Sequence, residues 1–278
     1  MSEYYKIVGG YYDVDAIDFD KRYWQNPILQ RIRQDIRENL KNIPFDNALE
    51  IGCGTGIDIT HFGTIFPEKS FIGIDVSNKM VNITNKKIKK LNLKNVKVRH
   101  LNSDEISNFE YNDKFDLIYV FFGALNTVED LDKTAESICK VLKPNGHLLL
   151  SFVNKPYLME IFYSLLRGNW GNAFKRFNKV WGGYSSVRYL PSECVSTKKV
   201  NNVFRRHGKI IYKRGYSIIF PPWYRLSLWN RFKRIRKLLW EVDKLISKTF
   251  FWKYGEYFMI IIKKYPYISD RDDRNMSV

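Results

Sequence analysis

The sequence is poor in cysteine and contains no long apolar run. Its three cysteines, Cys53, Cys139 and Cys194, lie far apart, with no Cys-x-x-Cys pair and no histidine at ligand spacing. This excludes a disulfide framework and gives no basis for a zinc or other metal site. The longest strongly apolar runs, such as residues 257–262, are far shorter than the ~20 residues of a bilayer-spanning helix. Because the first ten residues show no basic segment followed by an apolar one, we expect a cytoplasmic protein.

Acidic residues are missing from a long stretch of the second half. Between Glu193 and Glu241 there is no Asp or Glu, but there are 13 Lys and Arg residues. The net charge is −1 over residues 1–150 and +18 over residues 151–278. The positive electrostatic potential of such a basic region favours an anionic partner: nucleic acid, an anionic lipid surface, or a phosphorylated or carboxylated substrate. The alternative is that lysine serves only as a solvated surface residue in a chain of biased composition.

The remaining composition is that of a globular protein. The chain has 278 residues, of which 45% are hydrophobic and 27% are charged, enough for one large α/β domain or two small ones. Seven runs read as strands: 48–53, 71–76, 96–101, 115–122, 147–153, 209–220 and 257–264. The first five alternate with helical patterns, and those among them that are apolar throughout are typical of strands covered on both faces. The pattern predicts a doubly wound, mostly parallel α/β sheet.

The chain divides by pattern into five segments. Residues 28, 32 and 36 form one apolar stripe of an early helix, and the sequence turns aromatic and basic after residue 154. The predicted segments are an N-terminal helical lid (1–46), a nucleoside-binding core (47–154), a cap insertion (155–206), the rest of the core with its last strands and a basic amphipathic helix (207–266), and a flexible tail (267–278).

The sequence LEIGCGTG breaks an apolar run with glycines at positions 52, 54 and 56. A dinucleotide loop would read Gly-x-Gly-x-x-Gly and would hold a pyrophosphate. Here the spacing is Gly-x-Gly-x-Gly, and Glu50 stands two residues before the first glycine. A carboxylate there would repel a pyrophosphate but would suit a ligand with an ammonium group. A nicotinamide dehydrogenase is therefore disfavoured.

Two further carboxylates follow the next strands. Asp75 ends the second strand, where an acidic residue can accept hydrogen bonds from both ribose hydroxyls. Asp104 follows the third strand, where it could accept from the exocyclic amine of a purine. The sequence thus offers hydrogen-bond acceptors for an ammonium, a ribose and an adenine, but no hydrogen-bond donor for a phosphate. This combination matches S-adenosylmethionine (SAM).

Five motifs, in this order and spacing, carry a family resemblance over residues 11–153. They are LEIGCGTG, IGIDVS, NSDEI, FDLIYVFFGALN and LKPNGHLLLSF. The chain resembles the Rossmann-like, class I SAM-dependent methyltransferases. The resemblance implies SAM as the cofactor and a seven-stranded sheet whose last strand, YFMIIIKK, is antiparallel.

The resemblance also implies a set of cofactor contacts. They are Gly52 and Gly54 along the methionine moiety, Glu50 at its amino group, Asp75 at the ribose, Val76 and Met80 beside the adenine, Asp104 and Glu105 near its amine, and Phe121 at the sulfonium. Three of these have a plainer interpretation. Glu50 could cap the loop, Met80 could be a core residue, and Glu105 could be only solvated.

The N-terminal aromatic residues resemble the helix that closes over the cofactor in many small-molecule methyltransferases. We expect Tyr12 and Tyr23 to contact the cofactor, the alternative being that they pack the helix onto the sheet.

The acceptor is less well defined by the sequence. The fourth strand is followed by FFGALN and not by the Asn/Asp-Pro-Pro-aromatic motif of base-amine methyltransferases. FFGALN resembles the branches that act on small molecules, glycans or lipids, with Phe122 and Asn126 expected in the acceptor pocket. No catalytic base is assigned, because none of the four histidines occupies a motif position that the family uses.

A basic amphipathic helix is predicted from Leu228 to Ile246, with apolar residues at steps of three and four. It is either a core helix packed on the sheet or a surface that rests on anionic lipid at the inner membrane face. We therefore expect a methyltransferase for a small-molecule or lipid-like acceptor. The alternatives are an RNA methyltransferase that uses the basic half, and a binding protein that keeps the fold without turnover.

Overall fold

One sheet organises the chain, and its seven strands lie within the residues that this computed structural model describes, 1–108, 114–183 and 188–266. In chain order the strands are β1 (Asn47–Ile51), β2 (Ser70–Asp75), β3 (Val96–His100), β4 (Phe115–Val120), β5 (Leu142–Val153), β6 (Gly208–Tyr216) and β7 (Tyr257–Lys264).

The strand order is β3-β2-β1-β4-β5-β7-β6. Strands β1 to β5 pair in parallel, whereas β7 is antiparallel to both β5 and β6. The predicted fold class is therefore confirmed. The chain order of the strands reverses at β1, whose neighbours are β2 and β4, and ligands of such sheets bind beyond the carboxyl ends of the strands at that point.

Helices cover both faces of the sheet. In the described part of the chain they are α1 (Glu3–Asp15), α2 (Phe19–Trp24), α3 (Pro27–Lys41), α4 (Ile57–Ile65), α5 (Asn78–Lys90), α6 (Leu131–Val141), α7 (Leu158–Leu166), α8 (Trp170–Phe174), α9 (Thr197–Phe204), α10 (Leu226–Arg231) and α11 (Arg236–Ile246).

Helix α3 shows how the local sequence sets an element. Asn26 caps it by accepting from two backbone N–H groups of its first turn, and Pro27 occupies the first helical position. The stripe of Ile28, Ile32 and Ile36 is at most 1% exposed and joins the hydrophobic cluster on one face of the sheet. The predicted apolar stripe thus fixes which side of α3 lies on the sheet.

The cap is shorter than the predicted 155–206. Helices α7 and α8 lie between β5 and α9, and Asn154 pairs with Val195 in an isolated bridge that closes this segment. In contrast, Val200, Val203 and Phe204 of α9 are buried in the same hydrophobic cluster as α6. Helix α9 therefore belongs to the helical layer of the core.

The basic helix predicted from residue 228 to residue 246 is two helices, because residues 232–235 interrupt it between α10 and α11. Trp240 and Asp243 are the buried residues of α11, and Asp243 Oδ1 accepts from the N–H groups of Ile219 (2.8 Å) and Phe220 (3.0 Å). Leu238 and Leu245 are exposed. One side of α11 therefore packs on the core, and apolar residues remain on the other.

Strand β5 begins at Leu142, five residues earlier than predicted. Asn145 adopts a positive φ of 60°, and the pairing register with β4 shifts between Phe115 and Leu117. The Lys-Pro-Asn-Gly stretch thus lies inside an irregular first part of the strand, and only the regular part starts near His147.

No helix within the described ranges is both long and apolar enough to cross a bilayer. The predicted flexible tail, 267–278, lies outside the described residues.

Candidate functional site

A cavity of about 190 Å³ lies beyond the carboxyl ends of β1, β2 and β4. This is the crevice where the chain order of the strands reverses. Eight of the eleven predicted cofactor residues line it: Tyr12, Glu50, Gly52, Gly54, Asp75, Val76, Met80 and Phe121. The fold therefore gathers most of the predicted set around one cavity.

The loop after β1 needs its glycines. Gly52, Gly54 and Gly56 have φ values of +70°, +55° and +79°, which side chains disfavour. A Cβ on Gly52 would lie 2.5 Å from Ala124 Cβ, whereas a Cβ on Gly54 would meet nothing within 4 Å. The backbone of Gly54 therefore faces open space on the cavity side, where a ligand can approach it closely.

Asp75 is held by this loop. Its Oδ2 accepts from the Gly54 N–H and its Oδ1 from the Ser77 N–H, both at 2.8 Å. Burial raises the pKa of the Asp75 carboxyl to about 6, although the two N–H donors oppose the shift. Each oxygen keeps a lone pair free, so the carboxylate can accept two more hydrogen bonds from a ligand in the cavity.

Glu50 is buried at the end of β1. Burial, together with the nearby Asp58 carboxylate, raises the pKa of Glu50 well above its usual range. The Tyr119 hydroxyl donates to its Oε2 at 3.0 Å. A cationic group in the cavity would favour the ionised form, so Glu50 is suited to a ligand that brings an ammonium.

Arg33 also lines the cavity, although no sequence motif predicts it there. Its guanidinium pairs with Asp58 and lies 4.5 Å from the ring centroids of both Tyr23 and Phe122. Its Nε is buried and has no hydrogen-bond partner among the described residues. The only hint in the sequence is that Arg33 directly follows Ile32 of the apolar stripe of α3. A charged residue at such a position is normally turned to solvent, so the sequence alone would not place it in a cavity.

Helix α1 covers one side of the cavity with Tyr5, Val8 and Tyr12. It approaches closely because Gly9 has no side chain: a Cβ there would lie 2.7 Å from the Val76 carbonyl oxygen. Tyr12 thus lines the cavity, and its contact with the cofactor stays a prediction. Tyr23 instead lies against Arg33 and lines a neighbouring cavity.

Asp104 and Glu105 do not line the cavity, contrary to the prediction. Asp104 Oδ1 accepts from the Thr134 hydroxyl at 2.5 Å, and Glu105 lies 3.2 Å from the amino group of Met1. The 3₁₀ turn over Ser103–Asn108 turns these side chains away from the strand end. The position of Asp104 and Glu105 directly after β3 in the sequence does not reveal which way their side chains turn.

Asn102 and Ser103 take that part of the wall. Asn102 Oδ1 accepts from the N–H groups of Asp104 (3.0 Å) and Glu105 (3.1 Å). Its Nδ2 is buried and makes no hydrogen bond of good geometry in the described residues, although the Asn102 side chain is near enough to lower the pKa of the Glu105 carboxyl. An unpaired buried donor is unfavourable, and a ligand with an acceptor nitrogen in the cavity would satisfy it.

A second cavity of about 550 Å³ adjoins the first. Both are lined by the same five residues: Tyr12, Phe19, Arg33, Phe122 and Thr127. The rest of its wall is rich in aromatic side chains from the lid, the cap, the segment after β6 and the start of β7: Tyr11, Tyr23, Trp181, Trp223, Tyr224 and Tyr257. Space for a second molecule therefore lies directly beside the first cavity.

The two predicted acceptor residues differ in role. Phe122 lies between the cavities and has a φ of +52°, a strained conformation for a residue with a side chain. Asn126 lines the second cavity, but its amide donates to the carbonyls of Val153 (3.0 Å) and Glu193 (2.6 Å) and accepts from the Val153 N–H (2.9 Å). The Asn126 side chain, expected to contact the acceptor, instead uses its amide to link β5 to the cap.

Neither cavity is lined by a histidine. Burial lowers the pKa of His61 to about 4. Among the described residues, no group of three His, Cys, Asp or Glu side chains could hold a metal ion.

Comparison with known proteins places this geometry in a family. A family model described as "Methyltransferase domain" matches residues 45–210. Demethylmenaquinone methyltransferase of Lactobacillus johnsonii is 27% identical over 185 residues, which cover 63% of this chain and 72% of that protein. The protein of the same name from Bacillus cereus is 27% identical over 172 residues, which cover 59% and 70%.

Solved structures show the same fold. The N-methyltransferase NodS from Bradyrhizobium japonicum, in complex with S-adenosylhomocysteine (SAH), matches with a TM-score of 0.56 and 15% identity over 94% of this chain and all of that chain. A possible histamine N-methyltransferase from Thermotoga maritima matches with a TM-score of 0.57 and 13% identity over 92% and 99%. With the glycine loop, Asp75 and the matched domain in agreement, the chain belongs to the methyltransferase domain family and is a class I, SAM-dependent methyltransferase.

Proposed function

We propose that this enzyme methylates a small, largely apolar acceptor held in the second cavity, with SAM held in the first. The observation that carries the proposal is the shared wall of the two cavities, which includes Arg33 and Phe122. A methyl donor and an acceptor in these cavities would meet there without a further opening. In-line transfer needs such an alignment and little else.

The nucleoside part of SAM fits the residues of β2, β3 and the lid. Asp75 accepts from the two ribose hydroxyls with its free lone pairs. The unpaired Nδ2 of Asn102 donates to a ring nitrogen of the adenine. Val76 and Met80 provide apolar contact on the ring faces, and Val8 of α1 covers them.

The amino-acid part of SAM fits the end of β1. Its ammonium lies toward Glu50, which ionises in response, and its carboxylate lies toward Arg33. Gly52 and Gly54 allow the backbone to approach the chain between these two ends. Arg33 is therefore a cofactor-binding residue that the sequence motifs do not reveal.

When bound, SAM supplies a methyl group on a positively charged sulfur. Phe121 and Phe122 border the point where that group would face the second cavity. Their rings exclude water, and the Phe122 face favours positive charge, as its contact with the Arg33 guanidinium shows. The residues position the reactants, and no general base is assigned.

The acceptor is a ring-bearing, apolar molecule. The aromatic side chains of the second cavity provide stacking and apolar area, and few of its polar groups are free. Asp15, for example, is paired with Arg22 (2.7 Å) and Arg188 (2.6 Å). Two relatives carry the name demethylmenaquinone methyltransferase, which supports a quinone-like acceptor. The concave aromatic wall favours a small molecule over RNA.

The first test separates the cofactor from the acceptor. We expect calorimetry to show SAH binding that Asp75→Ala abolishes, whereas Asp46→Asn, at an exposed carboxylate on the other end of β1, leaves it unchanged. Retained binding in Asp75→Ala would contradict the cofactor assignment.

The second test addresses the acceptor cavity. Methyl-labelled SAM is incubated with the enzyme and a reduced naphthoquinone lacking the ring methyl group, and the organic extract is counted. Leu29→Trp fills the second cavity and should raise the acceptor KM at least about tenfold with unchanged SAH affinity. Equal kinetics for Leu29→Trp and the wild type would contradict the location.

A further inference from the structure

The cap helix α7 exposes most of its apolar side chains. Phe162 is 61% exposed and Leu166 is 70% exposed, and Leu158 on the same stripe is also exposed. Ser164 is the buried residue of this helix. A helix this apolar normally turns its stripe inward, so its outward stripe is a surface made for a partner.

The exposed stripe continues beyond α7. Trp170, at the start of α8, is 67% exposed, and Phe174 and Phe177 are exposed after it. We call the surface formed by Leu158, Phe162, Leu166, Trp170, Phe174 and Phe177 the cap face. Helices α7 and α8 pack against each other, so these side chains belong to one part of the cap.

The charges around the cap face are of one sign. Arg167, Lys175 and Lys179 are exposed there. The acidic residue of segment 155–180 is Glu160, which is already engaged by Arg176 and by the Tyr224 hydroxyl. Apolar and aromatic side chains flanked by lysine and arginine are complementary to a bilayer with anionic headgroups.

Helix α7, which carries part of the cap face, contacts the wall of the acceptor cavity through its other side. Tyr224 lines that cavity and donates to Glu160 of α7 at 3.0 Å. The next residue, Arg225, lies 3.7 Å from the ring centroid of Tyr163 on the same helix. A surface seated on the cap face would therefore be separated from the wall of the second cavity by helix α7 alone.

We propose that the cap face docks on an anionic lipid bilayer and that the acceptor enters the second cavity from that bilayer. The entry route rests on the proposed function, whereas the docking does not. A second copy of this chain is a poorer occupant, because each copy carries a net charge of +17 and like charges repel.

The test is vesicle flotation of the full chain. We expect it to float with phosphatidylcholine vesicles that contain phosphatidylglycerol and not with pure phosphatidylcholine vesicles. The double variant Phe162→Gln, Leu166→Gln should lower the bound fraction by about tenfold or more, since both side chains would insert in the interface. Leu91→Gln, an exposed leucine after α5, is the matched control and should float like the wild type.

Three outcomes would overturn the proposal: no flotation of the wild type, equal flotation of the double variant, or a dimer in light scattering that the double variant dissociates. Calorimetry with SAH is run on every variant. Unchanged SAH affinity with lost flotation separates docking from the cofactor site, and failure of SAH binding in the wild type would contradict the proposed function while leaving the flotation result interpretable.

Discussion

The guanidinium carbon of Arg33 lies 4.5 Å from the ring centroid of Phe122 at the boundary of the two cavities. In the proposed function, this pair joins the charge on the cofactor side to the aromatic wall on the acceptor side. If Arg33 holds the carboxylate of the cofactor, removing its charge weakens binding through the loss of a charge-assisted hydrogen bond, worth about 1.5–3 kcal/mol.

Arg33→Gln should therefore weaken SAH binding by roughly tenfold to a hundredfold. Arg31→Gln, on the same helix and stacked on Trp240, should bind SAH like the wild type. Calorimetry checks both variants. Thermal unfolding shows whether Arg33→Gln stays folded, which we expect because Asp58 keeps its second partner, Arg37 (2.7 Å). Wild-type affinity in Arg33→Gln would reject the assignment.

Binding of SAH should depend on the ionisation of Asp75. Its pKa of about 6 in the free protein means that protonation removes the ribose acceptor below that pH. We expect the Kd of SAH to be constant above about pH 7 and to rise about tenfold per pH unit below about pH 6. Asp75→Asn should bind weakly and lose this step. An identical step in Asp75→Asn would assign the titration to another group.

The same shift has a consequence for stability. Because burial raises the pKa of Asp75 from 3.8 to about 6, the folded state binds the proton more tightly than the unfolded state. The contribution of Asp75 to the free energy of unfolding is largest below about pH 4 and falls by about 3 kcal/mol as the pH rises to about 6. SAH is expected to bind the form in which Asp75 is ionised. Saturating SAH should therefore raise the Tm more at pH 7.5 than at pH 5, as differential scanning fluorimetry can measure.

Gly9 and Gly10 form a matched pair on the lid helix. A Cβ on Gly9 would lie 2.7 Å from the Val76 carbonyl oxygen, whereas a Cβ on Gly10 would meet nothing within 4 Å. Gly9→Ala should push α1 off the cavity and accelerate SAH dissociation by about tenfold, with the core intact. Gly10→Ala should leave dissociation unchanged and stabilise the helix by about 0.5–1 kcal/mol. Equal dissociation rates in stopped-flow measurements would contradict the role of α1 as a lid.

Phe122 combines a strained backbone with a ring between the cavities. Its φ of +52° suits glycine better than any residue with a Cβ, by about 1–2 kcal/mol. Phe122→Gly should thus be more stable in urea than Phe122→Ala, although both remove the ring and both should lower methyl transfer. Full turnover in either variant would show that the ring does not align the reactants.

The sequence by itself determined the features that depend on local pattern. These features are the apolar strand runs, the three glycines and the carboxylate at the end of β2. Each acts within a short stretch of chain, so their spacing in the sequence predicts the fold class and the centre of the first cavity. Asp75 is the clearest example, because it ends β2 and its Oδ1 accepts from the N–H of Ser77, two residues later.

Only the tertiary structure decided the features that depend on distant elements. Arg33 of α3 reaches the cavity because α3 packs on one face of the sheet, and its partners Asp58 and Phe122 come from other parts of the chain. Asn102 replaces Asp104 because a 3₁₀ turn rotates the side chains after β3. The second cavity arises where the lid, the cap and the segment after β6 meet. Orientation and enclosure are set by packing between elements, and the local pattern of residues does not encode them.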